Sequence, residues 1–405
     1  MKYTGRAGRR TDGAGATSAP RGRSHADAAA LAELAPQWRR LQRTALLPLL
    51  EHDPDWLAIE AAAVPQEARA ARVVTVERTG RVCALAPFLL YTWRWPLRLG
   101  RRTVATVPVR VARLGGAALL GEESVEAHAA VLAEVARAPD GIDLLFFESL
   151  PATSPLRRLL AATPAWRRDF WLYRPDRPRH HWRIDLPESL DAYFAQKRGA
   201  TARKLRQIDR RLERLAEGRL AIERVTDPGA LLPYLQAVEA LSARLWQGRE
   251  RGERVTVVEQ CERLAQYARR GWLRAYLMRC GITPVAFGIG HLYQGVFAYH
   301  QCGYDPDWSQ AHPGKVLLLR IVADLIESRV ARWFDFGPGD YEFKRLLATH
   351  ATPAASVYLV RKSPAMVAPW ALCQALGLIN RVGGGLRRRL GRGDRGDEGP
   401  LRTAR

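Results

Sequence analysis

Apolar and polar positions alternate along several stretches of this chain, and the alternation predicts strands. In 72–93, RVVTVERTGRVCALAPFLLYTW, it runs on both sides of Thr79-Gly80, which predicts a hairpin. Helical spacing marks 29–42 before it and 122–138 after it, with a short strand at 111–116 between. The run 142–150, IDLLFFESL, is apolar enough for a buried strand, and Pro151 stops it.

A second series follows Arg179. HHWRIDL predicts a strand. Residues 190–217 read as one long basic helix with Leu205, Ile208, Leu212 and Leu215 three or four apart, and Gly218 stands where a helix stop belongs. Helices are predicted over 228–244 and 261–269, then strands over 272–280, 284–293 and 296–305, with Gln294-Gly295 as the tight turn between the last two. A helix over 315–328, a strand over 332–337 and a terminal strand over 356–362 complete the series. Each series thus orders a hairpin, a helix and a buried strand, the pattern of an α/β protein built from two tandem units.

The pattern fades at both ends. Residues 1–30 are rich in Arg, Gly, Ala and Ser and read as a disordered basic leader; 382–405 read as a disordered basic tail. The uncharged run 365–380 predicts an apolar C-terminal helix within 363–381. It is shorter than the roughly 20 residues of a spanning helix, and with the arginines that follow it suits peripheral contact with a membrane surface. The expected domains are 31–178 and 179–362, and the expected location is cytoplasmic.

Composition changes this picture in two ways. Hydrophobic residues make up 47% of the 405 and charged residues 26%, which excludes a wholly disordered chain. The net charge is +22, yet only six of the 63 basic residues are lysines. Arginine written for lysine is a habit of GC-rich genomes, so the charge alone does not name a polyanionic partner. No helix-turn-helix, zinc-finger or RNA-binding motif accompanies it, so no sequence-specific nucleic-acid partner is expected. The five cysteines are scattered without a Cys-x-x-Cys pair, and no metal site is expected.

Two segments carry candidate chemistry. YDPDWSQAHPGK (304–315) places Pro313, Gly314 and Lys315 at a helix start directly after a strand, where backbone N–H groups suit a diphosphate. FDFGPGDYEFKRLLA (334–348) gathers Asp335, Asp340, Glu342 and Lys344 at the end of a buried strand. His291 and His300 fall on one sheet face if the turn has two residues, which makes His300 a candidate base.

These motifs in this order, with the hairpin and Gly281–Ala286 upstream, resemble the CelD-like branch of the GNAT acyltransferases, named for cellulose and exopolysaccharide clusters. The resemblance spans about 36–362. It implies two tandem GNAT-like domains, each a mixed sheet flanked by helices, and an N- or O-acyltransferase using acetyl-CoA or another acyl-CoA on a sugar-containing or other small acceptor of the cell envelope. Together with the hairpin and the basic helix, it makes Asp335, Asp340, Lys344 and His300 the candidate catalytic residues, Gln310, His312, Gly314 and Lys315 the candidate donor-binding residues, and Arg203, Arg206 and Trp246 the candidate acceptor-binding residues. Phe343 stands where the family has Tyr, and Pro338 where it has Arg. An aminoacyl-tRNA donor, as in the related Fem-type transferases, and a catalytically inactive scaffold remain alternatives.

Overall fold

The computed structural model describes residues 19–389, apart from 46–48, 64–69, 101, 138–140, 163, 175–177 and 245–254. Residues 1–18 of the expected leader, 390–405 of the expected tail, and Trp246 lie outside the described residues.

The first unit opens with β1 (Arg21–His25), β2 (Ala70–Arg78), β3 (Arg81–Leu99) and β4 (Arg102–Leu114), all antiparallel. The β2–β3 turn is Thr79-Gly80, both at positive φ, as its hairpin requires. A two-residue β5 (Leu120–Gly121) pairs with β3. Helix Val125–Arg137 then crosses over to β6 (Leu144–Pro151), which runs parallel to β4. After β7 (Phe170–Tyr173) and β8 (Arg179–Asp185) the scheme repeats. Strands β9 (Leu220–Val225), β10 (Leu273–Cys280), β11 (Thr283–Tyr293) and β12 (Val296–Tyr304) are antiparallel neighbours. Helix Pro313–Ser328 crosses over to β13 (Trp333–Pro338), parallel to β12. The two tandem units are therefore present as topology.

The units exchange strands. β8 pairs with β13 of the second unit, whereas β14 (His350–Arg361), which follows β13, lies between β6 and β8. One continuous sheet results, in the order β1-β2-β3-β4-β6-β14-β8-β13-β12-β11-β10-β9. Apolar clusters cover it on both faces. One spans both units, from Trp38 and Trp95 to Tyr234, Leu277 and Phe287. The others lie under helix Val125–Arg137 and under helices Gly199–Leu215 and Pro313–Ser328.

Several expectations are corrected. Residues 21–25 of the leader form β1, held by its ladder to β2. Gly22 passes so close to Ala130 that a Cβ would stand 2.7 Å from its carbonyl oxygen. The strand seen at 111–116 is the end of the thirteen-residue β4, and the terminal strand begins at His350 rather than 356. The long basic helix is two: Leu190–Ala195, capped by Ser189, and Gly199–Leu215. The chain leaves the helix at Arg198 (ψ 139°), and Lys197 reaches the carbonyls of Leu347 and Ala348. The C-terminal helix runs from Pro364 to Arg389, past the apolar run. It docks through Trp370, stacked on Trp171, and through Asn380, bonded to Gly100 N–H and Arg98 C=O at the tip of the β3–β4 hairpin. Val367, Leu372, Leu378 and Ile379 stay exposed, and no described helix is long and apolar enough to cross a membrane.

Candidate active site

The second unit parts in its middle. β12 and β13 pair for three steps only, Val296 with Trp333, Phe297 with Phe334 and Ala298 with Asp335; beyond these no backbone pairing joins them. On its other edge β12 is bulged: Ile289 faces Gln301 and Gly290 faces Tyr299, so His300 is the extra residue. Gly290 is glycine because a Cβ would lie within 3 Å of the Phe297 ring and the Ala298 carbonyl. The alternation in the sequence hid this bulge, because a strand with one extra residue still alternates on each side of it.

Asp335 stands at the root of the gap. Its Oδ1 meets His181 Nε2 at 2.6 Å and accepts the Gly337 N–H at 2.6 Å. Burial opposes its charge, but the imidazole and that N–H outweigh burial and hold the carboxyl below its usual range. His181, on β8, receives Ser149 at its other nitrogen (Oγ to Nδ1, 3.1 Å). Burial again opposes charge, and again the partner wins: the Asp335 carboxylate raises the His181 pKa. Ser149 sits in β6 at φ 51°, beside the register shift opposite Ser356, whose Oγ accepts its N–H. The sequence reading missed His181 and Ser149. HHWRIDL reads as an ordinary strand, and only the exchange of β8 and β14 brings it between Asp335 and Ser149.

The other candidates divide. Lys344 is buried, donates to the carbonyls of Pro338 (2.6 Å) and Gly337 (3.3 Å), and is pulled to about 8 by burial, against the attraction of Asp335, Cys302 and Asp340. It therefore clamps the Gly337–Pro338 turn and does not form a direct ion pair with Asp335. Asp340 accepts from His180 and from Trp182 Nε1, tying the turn to β8. His291 faces Ala298 and His300 lies diagonal to it, as expected, although through the bulge; the rings touch, Nε2 to Nδ1, at 2.5 Å. Although His300 reaches solvent, crowding around its ring and the adjacent His291 pull its pKa to about 3, and burial pulls His291 to about 4.

The expected donor loop lies at the far end of β12. A 3₁₀ turn, Pro306–Ala311, carries exposed Gln310. His312 at φ 53° leads into helix Pro313–Ser328, with Gly314 and Lys315 in its first turn. The loop is pinned by Arg244, which bridges Asp305 (2.6 Å) and Asp307 (2.5 Å), so the YDPD motif is a brace. Burial depresses His312, and so do the charges of Lys315, Arg211 and Lys204, the last two from helix Gly199–Leu215. Glu342 partly offsets them, at 3.1 Å from Lys315 and 3.6 Å from Lys204. Arg206 turns elsewhere, over the Phe194 ring and 3.7 Å from Asp191, while Arg203 is exposed.

Residues 199–345 match the family described as an acetyltransferase (GNAT) domain. Residues 199–345 thus carry a GNAT-type acetyltransferase domain. No curated protein sequence matches the chain. Among solved structures, FemX is similar over 82% of this chain and 97% of its own, at 11% identity and TM-score 0.55. A conserved protein of unknown function from Bacteroides thetaiotaomicron covers the same shares at 12% identity and TM-score 0.50. A tandem GNAT protein from the clavulanic acid biosynthesis pathway is similar over 85% of this chain at 16% identity and TM-score 0.49. At these identities the likeness is one of fold, and it extends over both units around the GNAT domain.

Proposed function

We propose that the protein transfers an acyl group from a coenzyme A thioester to an amine or hydroxyl of a cell-envelope or exopolysaccharide precursor. The observation that carries the donor assignment is the three-step pairing of β12 and β13, followed by their separation. The open edge of β12, next to its bulge at His300, offers backbone N–H groups to a thioester carbonyl, where they would stabilise the oxyanion of the tetrahedral intermediate. The first turn at Gly314 and Lys315, with Lys204 and Arg211 beside it, suits the donor's diphosphate. The acceptor class rests on the resemblance of the motif order 281–344 to the CelD-like branch.

The test is calorimetric titration with acetyl-CoA and longer acyl-CoAs. Lys204 and Arg211 are exposed, so the Lys204→Ala, Arg211→Ala pair keeps the fold. We expect micromolar-range binding that weakens about tenfold or more in the double variant and loses part of its salt dependence. Tight, salt-dependent binding of tRNA with no binding of acyl-CoA would instead select the aminoacyl-tRNA donor. Binding of neither would leave the scaffold reading.

A further inference from the structure

We propose that His181 takes the proton from the acyl acceptor, with Asp335 as its positioning residue. The inference rests on the acyl-transfer reading above and adds to it a base contributed by the strand β8, which precedes the matched GNAT segment.

The argument begins with place. Asp335 is the last β13 residue paired to β12 before the strands part, so the His181–Asp335 contact lies at the root of the gap. His181 is anchored on both sides of its strand, facing Pro338 of β13 and Thr352 of β14. Its side chain is 32% exposed and that of Asp335 22%, so the imidazole is held and still open to a substrate.

The hydrogen bonds assign the two ring nitrogens different partners. Ionised Asp335 is an acceptor only, so His181 Nε2 carries a proton toward it. In the neutral imidazole Nδ1 then bears the lone pair, 3.1 Å from the Ser149 hydroxyl that it accepts. An acceptor amine or hydroxyl that takes the place of Ser149 at Nδ1 exchanges this weak neutral bond for a proton donor whose acidity grows as it attacks.

The remaining titratable groups at the gap are unfit for the task. His291 and His300 are bonded ring to ring, and burial, with that pairing added at His300, holds both below the ordinary histidine range. Lys344 donates its protons to two carbonyls. Asp335 is engaged by His181 and Gly337, and Asp340 by His180 and Trp182. The charges that reach His181 are Asp335 on β13, Glu148 on β6 and Lys344 on helix Glu342–Leu347; the two carboxylates raise its basicity and the lysine lowers it.

The step balances simply. The acceptor heteroatom attacks the thioester carbonyl carbon while its proton passes to His181 Nδ1. The new bond to carbon forms as the carbonyl π pair moves to oxygen, and collapse of that oxyanion then breaks the carbon–sulfur bond. His181 then returns the proton to the departing thiolate, giving free thiol.

The experiment uses the full chain, acetyl-CoA, and water as acceptor, with release of free CoA followed by chromatography. We expect His181→Gln to bind acetyl-CoA within about threefold of wild type and to cleave it at least a hundredfold more slowly. We expect Asp335→Asn to move the acidic limb of the wild-type pH profile to lower pH, because the carboxylate that raises the His181 pKa is gone; a merely structural contact would not move that limb. Imidazole NMR of the folded wild type should show His181 titrating above its ordinary value of 6.5, and Asp335→Asn should lower it. Absence of acetyl-CoA binding removes the acyl-transfer reading and this inference with it. Binding with undiminished cleavage in His181→Gln, an unmoved pH limb, binding without any cleavage by wild type, or an acetyl ester trapped on Ser149 overturns this inference alone.

Discussion

At the scale of single residues, the site is a set of buried charges whose partners were invisible along the chain. Lys344 shows what such burial costs. Its pKa falls from 10.5 to about 8 because few atoms of water surround it. Below about pH 8 the group is protonated in both folded and unfolded chains, and the folded state bears the full penalty. Between about 8 and 10.5 the unfolded chain holds the proton and the folded chain has shed it, so stability rises with pH. Compared with Lys344→Met, which does not titrate, the wild type should gain on the order of 2–3 kcal/mol across that window. Urea unfolding of both proteins at pH 7.5 and 10.5 measures it. The motif that placed Asp335, Asp340 and Lys344 in one cluster was legible in the sequence. Their actual partners, His181, His180 and the Gly337–Pro338 carbonyls, were not, because two of the three come from about 160 residues away along the chain.

At the scale of elements, local pattern served well wherever a strand answered to its own neighbours. The hairpin at Thr79-Gly80 and the turn at Gln294-Gly295 stand where the residues put them, and His291 does face Ala298. Pattern failed where distant packing decides: the length of β14, the break at Arg198, and the bulge at His300. The bulge depends on Gly290 leaving room for Phe297. Gly290→Ala should therefore cost roughly 1–3 kcal/mol by overpacking, read as a lower urea midpoint. It should also weaken acetyl-CoA binding, since relief of the clash shifts β12 at the gap.

At the scale of the molecule, the tandem plan was legible in the repeated order of elements, but its joinery was not. Neither half owns a complete sheet, because β8 completes the second unit and β14 the first. Full-length protein should thus unfold in one transition, with tryptophan fluorescence and circular dichroism coincident. A fragment starting at Arg179 and ending at Thr349 should not fold cooperatively, since β8 would lose β14 and stand as a bare edge. Two separated transitions in the full chain would contradict the exchange.

The exchange also sets a clock on the ribosome. When β6 emerges, its future neighbour β14 is still about 200 codons from being read; at roughly 5–20 residues per second the wait is about 10–40 s. Throughout that time an apolar strand, LLFFESLP, presents an unclosed flank to every other nascent chain in reach. The cell must shelter it, and faster or slower decoding between codons 151 and 354 would tune the yield of native protein without changing a single amino acid.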